Sequence, residues 1–192
     1  LLEAFENILE EVDLIVFSDF NYGCLPQLLV DELIKKSKSA NKFIVADSQS
    51  SSQVGDISRF QDMDIIFATE REARVCLQNS EDGLVVLAEK LKIKANADNV
   101  FLKLGAQGVL LHIEAQGEKG NYETDRLDAL NKYPKDTAGA GDSMLITSSL
   151  AIAAGATHWE AACLGNIAAS IQVGRVGNVP LTLEEFQKVL NN

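Results

Sequence analysis

Residues 135–143 read Lys-Asp-Thr-Ala-Gly-Ala-Gly-Asp-Ser and lie between a strand-like approach and an uncharged helical stretch. Small side chains leave the backbone bare where that helix begins. The first N–H groups of a helix have no intrahelical partner, and the aligned peptide dipoles place about half a positive charge there. Gly139, Ala140 and Gly141 can therefore offer donors to an anion, even in an acidic protein. Asp142 follows directly. An ionised carboxylate only accepts hydrogen bonds. Beside an anion hole it is placed to take the proton of a hydroxyl attacking a phosphoryl group, while the amides hold the developing charge. Phosphoryl transfer is the reaction class this favours.

Two familiar phosphate loops are excluded by residue type. The third glycine of the dinucleotide fingerprint is missing, and no Gly-Lys-Ser/Thr follows. A packing reading stays open at this point: a Gly/Ala-rich helix start also permits close helix contact, with Asp142 answering the dipole. Lys103 closes an apolar strand just before Gly105, facing a ligand at the sheet's carboxyl edge or snorkelling to solvent. Asp19 follows the first strand in the same way, or caps the next loop. Glu72 sits in a charged helix start that could be no more than a solvated face. His112 and His158 are separate and form no metal pair.

The elements that position these residues follow from periodicity. Leu14–Phe17, Phe43–Ala46 and Ile65–Ala68 are continuous apolar runs with β-branched residues, the pattern of buried parallel strands. A helix is predicted from Leu25 to about Lys38, with Leu28, Leu29 and Leu33 on its apolar stripe. Helices from about Glu70 and from Gly83 to Lys94, then a strand at Val100–Leu104, continue the βαβ rhythm. Gly105 and Gly108 flank a tight turn into Val109–Ile113, an antiparallel hairpin. Residues 114–132 read as a polar loop with at most one short edge strand. Gly139–Ala154 and His158–Val173 predict two uncharged, closely packed helices, with Gly155 as a C-cap and Thr157 with Glu160 as a capping box. Pro180, Thr182 and Glu185 open a last helix. The fold class is α/β, a doubly wound, mostly parallel sheet flanked by helices, with residues 1–192 as one domain.

Composition narrows the function. Apolar residues at 46% and charged residues at 23% fit one compact domain, and no long uncharged apolar run predicts a membrane span. Seventeen basic against 28 acidic residues give a net charge of −11, which argues against non-specific binding to nucleic acid or anionic membranes. Cys24, Cys76 and Cys163 are odd in number and scattered, so they are expected to be packed small apolar residues in a reducing cytoplasm. The chain begins Leu1-Leu2 without a signal peptide and is expected to be a fragment or a processed product.

Taken together, Asp-Thr-Ala-Gly-Ala-Gly-Asp-Ser at 136–143, Ser-Asp-Phe-Asn-Tyr-Gly at 18–23, Ala-Asp-Ser-Gln at 46–49, Thr-Glu-Arg-Glu at 69–72, Leu-Lys-Leu-Gly-Ala-Gln-Gly at 102–108 and residues 166–178 resemble the ribokinase, or PfkB, family of carbohydrate kinases. The resemblance spans nearly the whole chain. It is strongest to the heptose-phosphate kinase branch of ADP-heptose synthesis, in which ATP phosphorylates the anomeric hydroxyl of D-glycero-D-manno-heptose 7-phosphate. It implies Asp142 as catalytic base and Gly139, Ala140 and Gly141 as the anion hole. It implies that Lys103, Gly105, Gly108 and Asn166 border the nucleotide, and that Glu72 acts on Mg2+ through water. Asp136 would sit beside a monovalent cation, K+, with the backbone of Val173 to Gly177. The implied partners are ATP and a sugar or sugar phosphate, an attached or associated nucleotidyltransferase and a second copy in a homodimer. An N-terminal sugar-contacting part with a β lid is not found in this chain.

Three positions depart from the family pattern. Thr69 stands where an Asn is usual, and Tyr22 and Gln49 stand where heptose-kinase-like sequences place phosphate-contacting lysines. A charge-assisted contact contributes about 1.5 to 3 kcal/mol, so two lost cations weaken phosphate binding by orders of magnitude unless replaced. A second reading follows, a catalytically weakened nucleotide-binding or regulatory module on the same fold.

Overall fold

The structure is a computed structural model and describes residues 1–49, 55–115 and 120–191. It divides into two compact units, one of residues 1–102 with 110–125, the other of residues 103–109 with 126–192. The first unit carries the sheet. Its strands are β1 (Leu14–Asp19), β2 (Phe43–Ser48), β3 (Ile65–Thr69), β4 (Asn99–Lys103), β5 (Val109–Glu114) and β6 (Tyr122–Leu127), side by side in chain order. β1 and β2 pair in parallel from Leu14 with Phe43 to Asp19 with Ser48, and β2 pairs in parallel with β3 through Val45 and Ile65. Ile65, Ile66, Phe67 and Ala68 are fully buried, as a strand covered on both faces requires. Phe67 meets Phe101 of β4 with ring centroids 4.9 Å apart.

Helices α1 (Leu2–Ile8), α2 (Gln27–Ser39), α3 (Glu70–Leu77) and α4 (Leu84–Ala95) complete this unit. α1 was not foreseen. α2 starts behind Pro26, which cannot donate an N–H and suits a helix entry. It buries Val30, Leu33 and Ile34, leaving Leu29 half-buried and Leu28 83% exposed, so Leu33 joins the buried stripe as expected and Leu28 does not. The short edge strand within residues 114–132 is β6. Its alternating half-buried and exposed residues carry too little apolar signal to announce it. His112 of β5 is buried by that strand, with Nδ1 2.6 Å from Thr124 Oγ1, Nε2 2.5 Å from Glu89 Oε2 and its ring stacked on Tyr122.

The second unit holds α5 (Ala140–Ala153), α6 (His158–Val173) and α7 (Leu183–Leu190). α5 and α6 approach so closely that a Cβ on Gly165 would fall 2.1 Å from Ser148 Oγ. Ser148 Oγ donates to Ala161 O at 3.0 Å, and Ser149 Oγ to Leu145 O at 2.6 Å, so the buried hydroxyls are satisfied. Thr157 with Glu160 and Thr182 with Glu185 form the capping boxes expected of them. Gly155, one residue past the C-cap, takes φ +97°. One expectation fails: Cys24 and Cys163 are exposed, and only Cys76 is buried. Cys163 lies on the outer face of α6, and Cys24 in the loop before α2, where neither finds a core to join. No helix among the described residues is long and apolar enough to cross a membrane.

Candidate active site

Everything in the candidate anion hole comes from the second unit. Gly139 is the N-cap of α5 at φ 76°, ψ 0°, a left-handed conformation that costs an L-residue about 1–2 kcal/mol. No side chain caps this helix. A Ser or Asp cap would fill the space in front of the first N–H groups; of the three amides expected in the anion hole, that of Ala140 already donates to Thr137 O at 3.3 Å. Asp142 stands half-buried on the first turn.

Lys103, the last residue of β4, brings a positive charge to this turn. Its Nζ lies 3.2 Å from where a Cβ on Gly141 would be, and its Cδ and Cε lie at 3.8 and 3.9 Å. The aliphatic stem lies along the bare backbone and the ammonium ends over it, so any larger residue at 141 would push the cation away. Gly105, at φ +59°, and Gly108, at φ +92°, follow in the turn to β5, where Leu104 N donates to Gly108 O at 2.8 Å. A Cβ on Gly108 would overlap Leu127 O at 1.9 Å, so only glycine lets the two backbone segments meet. Asn166 is buried on α6 and donates its Nδ2 to Asp128 O at 2.8 Å. It fixes the loop after β6.

Asp136 acts as a clamp. Its Oδ1 accepts from Ala138 N at 3.0 Å and its Oδ2 from Gly177 N at 2.9 Å. The Ala138 and then the Gly177 N–H hold its carboxyl below the usual carboxylate range. Gln172, 1% exposed, donates Nε2 to Ala138 O at 3.0 Å and to Gly177 O at 3.2 Å. Asn178 Oδ1 lies 2.1 Å from where a Cβ on Gly139 would be. The residues before the turn and those after α6 are thus tied together by Asp136 and by Gln172, to which the sequence analysis gave no role of its own.

Glu72 belongs to the first unit, apart from these residues in the chain's division. Thr69 N donates to its Oε2 at 2.6 Å, while Thr69 Oγ1 accepts from Glu72 N at 3.2 Å. This capping box gives the unexpected Thr69 a structural task as N-cap of α3. It also holds Glu72 buried with one oxygen already in use. No group of three or more His, Cys, Asp or Glu among the described residues is placed to hold a metal ion.

The carboxyl ends of β1 and β2 contain a second structure the sequence did not announce. Asp19, 5% exposed, meets Arg59 Nη2 at 2.7 Å, and the guanidinium also donates to Leu25 O at 2.8 Å and lies over the Phe60 ring at 4.6 Å. Asn21, at φ 58°, receives a place beside it: its N–H donates to Asp19 Oδ1, and its Nδ2 donates to Ser48 Oγ at 3.0 Å and Gln49 O at 2.5 Å. β1, β2, β3 and β4 end on Asp19, Ser48, Thr69 and Lys103. Of these four only Lys103 is cationic.

A ribokinase-like α/β fold with a glycine-capped helix start is the class these features define. Residues 1–184 match the family model described as pfkB family carbohydrate kinase, and the chain belongs to that family. It is 28% identical over 192 residues to the bifunctional protein HldE of Campylobacter fetus subsp. fetus (strain 82-40), covering 98% of this chain and 39% of that protein. It is 30% identical over 190 residues to the HldE protein of Desulfatibacillum aliphaticivorans, covering 97% and 37%. The chain thus spans well under half of these relatives. Among solved structures it is similar to phosphofructokinase-2 from Escherichia coli in complex with potassium, with TM-score 0.78, 18% identity and coverage of 98% of this chain and 60% of that one. Ribokinase from Thermotoga maritima gives TM-score 0.76 at 25% identity, covering 97% and 59%.

Proposed function

We propose that residues 1–192 form the nucleotide-binding and catalytic portion of a cytoplasmic carbohydrate kinase. Asp142 is the base that takes the proton of the acceptor hydroxyl, and the N–H groups of Gly139, Ala140 and Gly141 stabilise the charge that develops on the phosphoryl group. The observation that carries this reading is the uncapped, glycine-led start of α5 with Lys103 Nζ beside Gly141. A helix start without a side-chain cap, with an ammonium beside it, suits a phosphate. ATP, when bound, supplies the phosphoryl group and a divalent ion such as Mg2+ neutralises its oxygens. Lys103, Gly105, Gly108 and Asn166 border the nucleotide, and Glu72 acts on the divalent ion through water. At the place the resemblance gives to a monovalent cation, both Asp136 oxygens already take an N–H donor and Gln172 Nε2 stands between Ala138 O and Gly177 O.

Kinship with the bifunctional HldE proteins supports D-glycero-D-manno-heptose 7-phosphate or a related sugar as acceptor, and a nucleotidyltransferase as companion domain. A second reading, a weakened nucleotide-binding module, draws on Tyr22, 68% exposed, and on Gln49, which stand where the resemblance places phosphate-contacting lysines. One assay separates the two. Sugar-dependent ADP release by the full-length protein identifies the kinase, and Asp142→Asn should lower kcat by about 10²–10⁴ while ADP binding persists. Undiminished turnover in Asp142→Asn removes Asp142 from the mechanism.

A further inference from the structure

Family resemblance places a monovalent cation against Asp136 and the Val173 to Gly177 backbone. Such an ion is held by several oxygens with free lone pairs. Here the Asp136 carboxylate oxygens, Ala138 O, Val173 O and Gly177 O have each already taken at least one N–H donor. Both carboxylate oxygens of Asp136 accept from backbone, as described, and Val173 O accepts from Lys135 N at 2.7 Å and Asp136 N at 3.3 Å. Ala138 O and Gly177 O face each other across the Gln172 amide, whose Nε2 donates to both, and Gly177 O also accepts from Val179 N at 3.2 Å.

The Gln172 amide has only one orientation that satisfies its surroundings. Nε2 must face the two carbonyls, because Oε1 accepts from Arg175 Nη2 at 2.7 Å and Nε at 3.2 Å. Arg175 is held in turn by Glu185 of α7, with Nη1 3.1 and 3.3 Å from its two oxygens, and donates to Val179 O. A guanidinium pulling on Oε1 polarises the amide and strengthens what Nε2 gives to the carbonyls. Positive charge thus reaches Ala138 O and Gly177 O through a side chain.

We infer that Gln172 supplies internally what a monovalent cation would supply beside Asp136, so that the turn leading into α5 is ordered without K+. Gln172 is then a positioning residue, acting on the anion hole through the 136–139 backbone. Its functional meaning rests on the proposed kinase site, and the test therefore uses stability and nucleotide affinity, which can fail separately from turnover.

The full-length protein would be melted, and its ADP affinity measured by calorimetry, in KCl and in tetramethylammonium chloride of equal ionic strength. Wild type should give the same melting temperature and affinity in both salts. Gln172→Ala, which opens the two carbonyls, should gain a saturable response to K+, and filling the vacated site to ten times its Kd should raise melting by about 3–6 °C. Gln172→Glu keeps the size but turns the bridging donor into an acceptor, and should acquire the same K+ response if the alanine variant does not fold. A saturable K+ stabilisation of wild type overturns the inference, as does a folded Gln172 variant indifferent to K+. Failure of the kinase reading would appear differently, as no sugar-dependent ADP release by wild type in either salt.

Discussion

Replacing Gly139 by alanine tests the candidate site at its most constrained atom. Two costs can be worked from the geometry. At φ 76° an L-residue is strained by about 1–2 kcal/mol whatever surrounds it. The new Cβ would also meet Asn178 Oδ1 at 2.1 Å, an overlap that Asn178, exposed and able to rotate, relieves by leaving its place against the turn. The backbone strain therefore sets the stability loss. For a chain of this size it corresponds to a fall of roughly 2–8 °C in melting temperature. Rotation of the turn would misplace at least one amide of the anion hole, which costs about 10²–10³ in kcat where such donors have been removed singly. Melting by circular dichroism and coupled ADP release measure the two effects. Asn178→Ala in the Gly139→Ala background separates their origins: it abolishes the overlap but not the backbone strain, so the melting deficit should persist. Full recovery of stability in the double variant, or a Gly139→Ala protein indistinguishable from wild type in both assays, would refute the reasoning.

Two further outcomes follow from packing and desolvation. Gly165→Ala would drive a methyl into Ser148 Oγ at 2.1 Å and toward Met144 O at 3.1 Å, so urea unfolding should show a loss of about 1–3 kcal/mol, partly recovered when Ser148→Ala is added. Partial desolvation of the still exposed Asp98, with the Asp64 and Glu114 carboxylates, pushes its carboxyl above its usual value against the opposing pull of Lys38 and Lys92. The ionised form is thus disfavoured in the folded protein, and Asp98 subtracts stability above the unfolded carboxylate pKa but not below it. Asp98→Asn should raise the melting temperature at pH 7 and leave it unchanged near pH 3; a lower value at pH 7 would show that its hydrogen bonding outweighs its desolvation.

Much of the fold was legible because it rests on short-range chemistry. The apolar runs at Ile44, Ile65 and Val100 could only be buried strands, and Thr157 with Glu160 and Thr182 with Glu185 fixed two helix starts to the residue. α1 escaped and β6 was foreseen only as one short edge strand somewhere within residues 114–132, because neither buries a residue that would give a strong apolar signal. At the candidate site, residue type alone pointed to bare backbone at a helix start, with close packing as an equal alternative, and Gly139 is indeed the N-cap of α5. Gln172, Arg59 and Asn21 could not. Each acts on groups far away in the chain: Gln172 on Ala138, Arg59 on Asp19 and Asn21 on Ser48. A lone glutamine in an alanine-rich helix carries no sign of the carbonyls it will meet. Thr69 shows the opposite difficulty, a departure from a family pattern that local capping explains.

A line of contacts runs from Glu185 through Arg175 and Gln172 to Ala138, joining the last helix to the turn. Whatever free energy that line transmits is reciprocal: the factor by which fraying of residues 183–190 raises the dissociation constant of an anion at the turn is the factor by which that anion disfavours the frayed state.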